Sequence, residues 1–217
     1  MTKLTNSISL SLWGKGGSGK STTALALASL AAAEGRRTVV LDADPQRSAS
    51  AWYHSSKTPS FAVHSTEVAA VPGLLGRAKA RYDLVIIDHP PARYSGSSQI
   101  AQSTDLSLIV ARPYAFDLTL ALEWVGIVQR AGAEPLVALT AAPPLRLGAM
   151  APAVGGARAR LRQAHATTWA HQITNRLIYP DLIGRGMTIA DLPETTAARA
   201  DYARLLTALC DKGASNG

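Results

Sequence analysis

The chain reads as an α/β protein: an open, mostly parallel twisted sheet with helices on both faces. Three observations carry this. Short apolar runs alternate with longer helical patterns from end to end, and such alternation builds parallel sheets. Leu84–Ile87 is an unbroken aliphatic run, as in a strand buried on both faces. A glycine-rich segment, 14–21, lies between the first apolar run and the first helical one, where such folds bind phosphate.

The elements follow in order. Strands are predicted at Ile8–Trp13, Thr38–Leu41, Phe61–His64, Leu84–Ile87, Leu106–Ala111, Leu136–Thr140 and Thr167–Ile173. Helices are predicted at Lys20–Glu34, stopped by Gly35, and at Pro72–Arg81, Leu118–Ala131, Ala153–His165 and Thr195–Lys212. In the last, Ala198, Tyr202, Leu205, Leu206 and Leu209 form one apolar stripe at helical spacing. No repeat, linker or composition shift divides the chain, so one domain over 1–217 is expected, with 1–6 and 213–217 frayed.

Hydrophobic residues are 47% and charged residues 17%, which excludes a disordered chain. The single cysteine, Cys210, excludes a disulfide framework and a cysteine-rich metal site, and fits a reducing cytoplasm. The start of the chain has no apolar run of signal-peptide length. No window approaches the roughly 18 apolar residues of a membrane span. The net charge of +7 favours polyanionic partners. Between Glu134 and Asp181 there is no acid, yet Arg146, Arg158, Arg160, Arg162 and Arg176 fall there.

Gly14-Lys15-Gly16-Gly17-Ser18-Gly19-Lys20-Ser21 fills every position of the phosphate-loop pattern G-x-x-x-x-G-K-S/T. Its glycines let backbone N–H groups turn inward as an anion nest. The following helix adds its positive end. Lys20 can reach the β- and γ-phosphates, and the Ser21 hydroxyl can bind Mg²⁺. The expected ligand is a nucleoside triphosphate.

Two acidic stations follow. Asp42 and Asp44 close the second strand and, two positions apart, should share a face. There they can hold a metal-bound water or orient an attacking one; alternatively, Asp44-Pro45 is a turn whose carboxylate caps the next helix. Asp88 ends the aliphatic strand and suits a Mg²⁺ held through water. His89 follows it and is read as a neighbour that packs or hydrogen-bonds locally.

The string KGGSGKST, through Thr22, resembles the deviant Walker A loop of the ParA/MinD family of ATPases, which have the phosphate-loop fold. The resemblance implies that Lys15 crosses a dimer interface to the partner's nucleotide, acting catalytically with Lys20 and Asp44. Asp42-Ala43-Asp44-Pro45-Gln46 resembles the family's D-x-D-P-Q, which implies that Asp44 positions the hydrolytic water and Asp42 joins Ser21 and Asp88 around Mg²⁺. Asp88-His89-Pro90-Pro91 departs from the usual D-T-P-P at His89. Arg112-Pro113-Tyr114-Ala115-Phe116-Asp117 matches a family loop, placing Pro113 among the nucleotide-binding residues. Ile173–Arg176 and Gly186–Ile189 follow a late family pattern.

The likeness is greatest to short ParA partition proteins without an N-terminal helix-turn-helix domain. It implies an ATP/ADP- and Mg²⁺-dependent sandwich dimer, slow hydrolysis and nonspecific duplex DNA binding. It also implies a centromere-binding ParB-like adaptor and a cytoplasmic, nucleoid-associated location. The cargo would be plasmid or chromosome DNA; alternatives are a protein assembly on the nucleoid, or an interaction module that barely hydrolyses. Arg158 and Arg162, one turn apart, are the first DNA candidates, with Arg176 and Arg185 next; Arg160 points elsewhere. MinD-like proteins reach membranes with a C-terminal amphipathic helix. Here the last helix has a core-like stripe and ends in DKGASNG, so no membrane partner is expected.

Overall fold

The computed structural model describes residues 7–145 and 147–215. Seven strands form one parallel sheet: β1 Ile8–Trp13, β2 Thr38–Asp42, β3 Ala62–Ser65, β4 Leu84–Asp88, β5 Leu106–Ala111, β6 Pro135–Ala142 and β7 Thr168–Thr174. Their order across the sheet is β3-β2-β4-β1-β5-β6-β7. The helices are α1 Lys20–Ala33, α2 Ser48–Ser55, α3 Val71–Lys79, α4 Ser97–Ser103, α5 Ala115–Arg130, α6 Pro152–Gln163, α7 Ile178–Gly184 and α8 Ala197–Ser215. The α/β fold with a parallel sheet is as expected.

Three helices were not foreseen. α2, α4 and α7 are short, and each buries only one to three side chains. Such a segment shows no apolar period. α5 begins at Ala115 rather than Leu118, since the exposed Phe116 hides the start of its pattern. α8 runs on to Ser215. The expected frayed residues 1–6 and 216–217 lie outside the described residues, as does Arg146. No described helix is long and apolar enough to cross a membrane.

The sheet is packed on both faces. On one, Leu10, Leu12, Val40, Ile86 and Leu108 meet α1 and α8. On the other, Trp13, Val39, Val85, Ile87 and Ile109 meet α3, α5 and α6. α1 is buried nearly all round, from Thr23 to Ala31, which explains its small and apolar composition. The second face of the central strand β1 carries buried serines. Ser9 Oγ donates to Asp105 at 2.6 Å, and Ser11 Oγ to Thr104 at 3.0 Å, so these polar groups are satisfied.

Topology then sets the site. β1 leads to β2 on one side of it and has β5 on the other, so the connections diverge around β1. Open parallel sheets form their crevice at the carboxyl edge of such a switch point. Asp88 pairs in register with both Leu12 of β1 and Asp42 of β2. The two strand-end acids and the loop leaving β1 therefore share one edge.

Candidate nucleotide-binding site

The phosphate loop needs its glycines in particular places. Gly14, Gly17 and Gly19 have φ of 146°, 77° and 91°, a region that side chains disfavour. At Gly14 a Cβ would also lie 2.3 Å from the Val110 carbonyl oxygen of β5, so no other residue fits. The Ser18 N–H donates to the Lys15 carbonyl at 3.2 Å, and Thr140 Oγ1 of β6 donates to the Ser18 carbonyl at 2.6 Å. Lys20 begins α1, is 5% exposed, and donates through Nζ to the Lys15 carbonyl at 3.3 Å. Burial lowers its pKa, while Asp88 and Asp44 pull the other way. Thr22 lies further along α1 beside Tyr179 and Tyr202.

The acids differ in their engagements. Asp42 is fully buried; its Oδ2 accepts from Ser50 N–H at 2.8 Å and Ser50 Oγ at 2.7 Å, and its Oδ1 has no partner. It is thus Asp42, not Asp44, that holds the first turn of α2. Asp44 lies past the end of β2, so the expected strand face is not what orients it. Its Oδ1 accepts from Gln46 N–H at 2.9 Å in a local turn. Asp88 is fully buried, and neither of its oxygens has a hydrogen-bond partner. Burial pushes its carboxyl up to about 7; the Ser21 hydroxyl, close by but short of a full hydrogen bond, opposes this, as does Lys20.

This oxygen set fits Mg²⁺. Unpartnered buried carboxylate oxygens beside a hydroxyl are hard donors. No cage of three or more acids or imidazoles exists among the described residues. Mg²⁺ typically uses one or two carboxylates and completes its shell with water and substrate phosphates.

Lys15 meets an acid of its own chain. Its Nζ is 3.5 Å from Asp117 Oδ2. Arg112 grips the same carboxylate, Nε to Oδ1 at 2.8 Å and Nη2 to Oδ2 at 3.2 Å. Pro113, buried, lies between β5 and α5 next to this pair. The sequence names Asp117 only as the end of a family loop and Thr140 only as the end of a strand, with no role for either. An acid in the first turn of a helix reads as a dipole partner, and a strand-end threonine carries no signal.

His89 is fully buried and does pack locally. Its ring stacks on Trp13 with centroids 4.0 Å apart and planes 7° from parallel. The Tyr94 hydroxyl and its Nδ1 share a hydrogen bond at 2.5 Å. Burial, with the nearby Lys20 ammonium, pushes it down to about 3, so the imidazole is neutral.

The arginines of the acid-free block, and Arg185 beyond it, are mostly engaged among the described residues. Arg158 donates to the carbonyls of Trp169, Ala170 and His171 on β7. Arg160 turns to α5, donating to Ala115 O and Thr119 Oγ1. Arg176 pairs with the buried Asp201 at 3.3 Å, and Arg185 with Asp181 at 3.5 Å. Arg162 is exposed and has no partner among the described residues; with Arg158, His165 and Thr168 it lines an open hollow beside β7.

A family model described as the CobQ/CobB/MinD/ParA nucleotide binding domain matches residues 12–213. Maintenance of carboxysome distribution protein A of Gloeobacter kilaueensis is 37% identical over 139 residues, 62% of this chain and 63% of that protein. Protein ParA of Rhizobium radiobacter is 29% identical over 116 residues, 52% of each. The chain thus spans less than two thirds of either relative. Among solved structures, an ATP complex of Cyanothece McdA has a TM-score of 0.78 at 17% identity, covering 94% of this chain and 97% of that one. The cell division ATPase MinD of Pyrococcus furiosus has a TM-score of 0.72 at 14% identity, covering 94% and 98%. At these identities the structural likeness is one of fold. The family match spans the loop, both strand-end acids and the late pattern, and the chain belongs to the CobQ/CobB/MinD/ParA nucleotide-binding family.

Proposed function

We propose that this chain is a Mg²⁺-dependent ATP hydrolase that dimerises around ATP, binds duplex DNA without sequence preference and lets go after hydrolysis. Lys20 and the backbone of Gly14–Ser21, with Thr22 and Pro113 at its margins, bind the nucleotide. Ser21, Asp42 and Asp88 hold Mg²⁺ directly or through water, and Asp44 orients the attacking water. A partner copy supplies Lys15, adding positive charge where negative charge develops in the transition state. The observation that carries this reading is the meeting of Lys20, Asp42 and Asp88 at one strand edge with carboxylate oxygens left unpartnered.

The cargo we propose is DNA in partition, with a ParB-like adaptor that stimulates hydrolysis at the nucleoid. The basic balance of the chain supports a polyanionic track. A second reading keeps the ATPase and changes the cargo to a protein assembly. The relative named for carboxysome distribution, at 37% identity, favours it. A pull-down with the ATP-bound form separates the two: a centromere-binding protein supports the first, an assembly component the second.

The test of the core reading is Lys20→Ala. Its ammonium, buried in the loop, is coupled to Asp88 and Asp44, so the variant should lose useful ATP affinity in calorimetry. Wild-type affinity in the variant sinks the assignment.

A further inference from the structure

The residue directly before the phosphate loop and the residue directly after Asp88 are stacked face to face. Trp13 ends β1 and leads into Gly14; His89 follows Asp88 on β4. These strands pair, with Leu12 opposite Asp88. The stack extends both ways. Trp124 of α5 packs on Trp13 with centroids 4.9 Å apart, and Tyr94 lies against His89 at 5.9 Å while its hydroxyl shares a hydrogen bond with Nδ1. Tyr94 is itself tied to α4, because Ser97 Oγ donates to the Tyr94 carbonyl at 2.8 Å. Between His89 and Tyr94 the chain passes Pro91, which neighbours Gly16 of the loop.

Simple core filling explains this poorly. His89 Nε2 is buried without a partner, and a buried polar group left unsatisfied is destabilising. A leucine or phenylalanine there would fill space without that cost. What the imidazole adds is a flat face for Trp13 and a hydrogen-bonding partner for Tyr94, on the residue next to the proposed metal carboxylate. α5 enters the same arrangement, since it carries both Trp124 and Asp117, the partner of Lys15.

We infer that Trp13, His89 and Tyr94 form a clamp that fixes Asp88 relative to the start of the phosphate loop, with His89 as a positioning residue. This rests on the nucleotide reading above. Asp88 acts through Mg²⁺ in that reading, so loosening the clamp should affect nucleotide affinity only when Mg²⁺ is present. A residue that merely packs the core has no reason to show that dependence.

The test compares Tyr94→Phe, which keeps the ring and removes one hydrogen bond, with His89→Thr, which removes the stack. ATP affinity is measured with Mg²⁺ and with chelator, alongside thermal melting and hydrogen exchange over 89–97. Tyr94→Phe should bind ATP about fivefold more weakly with Mg²⁺, the size of one hydrogen bond, and equally well in chelator. Its 89–97 segment should exchange faster, and His89→Thr should show both effects more strongly. Equal losses with and without Mg²⁺, or none, overturn the clamp. If His89→Thr does not fold, Tyr94→Phe decides alone. If the wild type binds no ATP, the nucleotide reading fails separately; unchanged exchange in Tyr94→Phe then overturns the clamp itself.

Discussion

Lys15 Nζ lies 3.5 Å from Asp117 Oδ2 in the same chain, and Arg112 holds both oxygens of that carboxylate. Asp117 is 3% exposed and the Lys15 side chain 35%. The lysine is thus drawn home by a buried acid that already has a fixed partner. To act in a second copy it must leave. The half-exposed pair is worth at most about 1 kcal/mol, so this restraint is small enough for bound nucleotide and a partner surface to overcome.

Asp117→Asn should therefore release Lys15 and tighten the dimer formed with a nonhydrolysable ATP analogue, by about threefold. Lys15→Gln should bind ATP as a monomer and fail to dimerise. Sedimentation reads both. A normal ATP-dependent dimer in Lys15→Gln would leave the lysine with no role beyond Asp117.

Asp88 gives a pH prediction. Burial holds its carboxyl near 7, against roughly 3.9 when unfolded. Between those values the native state keeps a proton that the unfolded chain has lost. Stability of the nucleotide-free protein should fall as pH rises through that window, then level off above it. Asp88→Asn removes the ionisation, so it should melt higher than wild type at about pH 8 while losing Mg²⁺-dependent ATP affinity. Identical melting curves for the two proteins across the window would show that Asp88 does not carry the effect.

Asp44 separates binding from turnover. Its Oδ1 is engaged by Gln46 N–H, while its Oδ2 makes no hydrogen bond among the described residues. Asp44→Ala should keep ATP and hold the dimer together, with hydrolysis abolished. Turnover within about threefold of wild type in the presence of its adaptor, roughly 0.6 kcal/mol in barrier, would reduce Asp44 to a turn former.

The central strands were legible because they are short, mainly apolar runs between polar turns, buried on both faces. The loop was legible because its glycines answer to backbone conformation and to the Val110 carbonyl, both local demands. What escaped depends on distance in the chain. Thr140 reaches Ser18 across 122 residues, and Trp13 meets His89 across the sheet. Helical spacing put Arg158 and Arg162 on one side of α6 and Arg160 on another, as found. It gave no hint that β7 would take Arg158's donors, because edge-strand carbonyls are visible only once the sheet is assembled.

That difference splits the two arginines into separate predictions. Arg158 spends its guanidinium on three β7 carbonyls, so Arg158→Ala should lower the melting temperature by exposing an unpaired strand edge. Arg162, exposed and unpaired, is the one free to meet a phosphate. Arg162→Glu should fold normally and keep ATP affinity, since α6 and its end are remote in sequence from the loop. Its binding should weaken alike for any duplex, because phosphates carry no sequence information. The slope of log affinity against log salt should flatten by roughly 0.9, the amount that one neutralised phosphate contributes. The measurement is duplex binding with ATP across a salt series. An unchanged slope in Arg162→Glu moves the search to Arg185, whose surface pair with Asp181 is weak enough to exchange for a phosphate, and an unchanged slope there as well would end the DNA reading for this half of the chain.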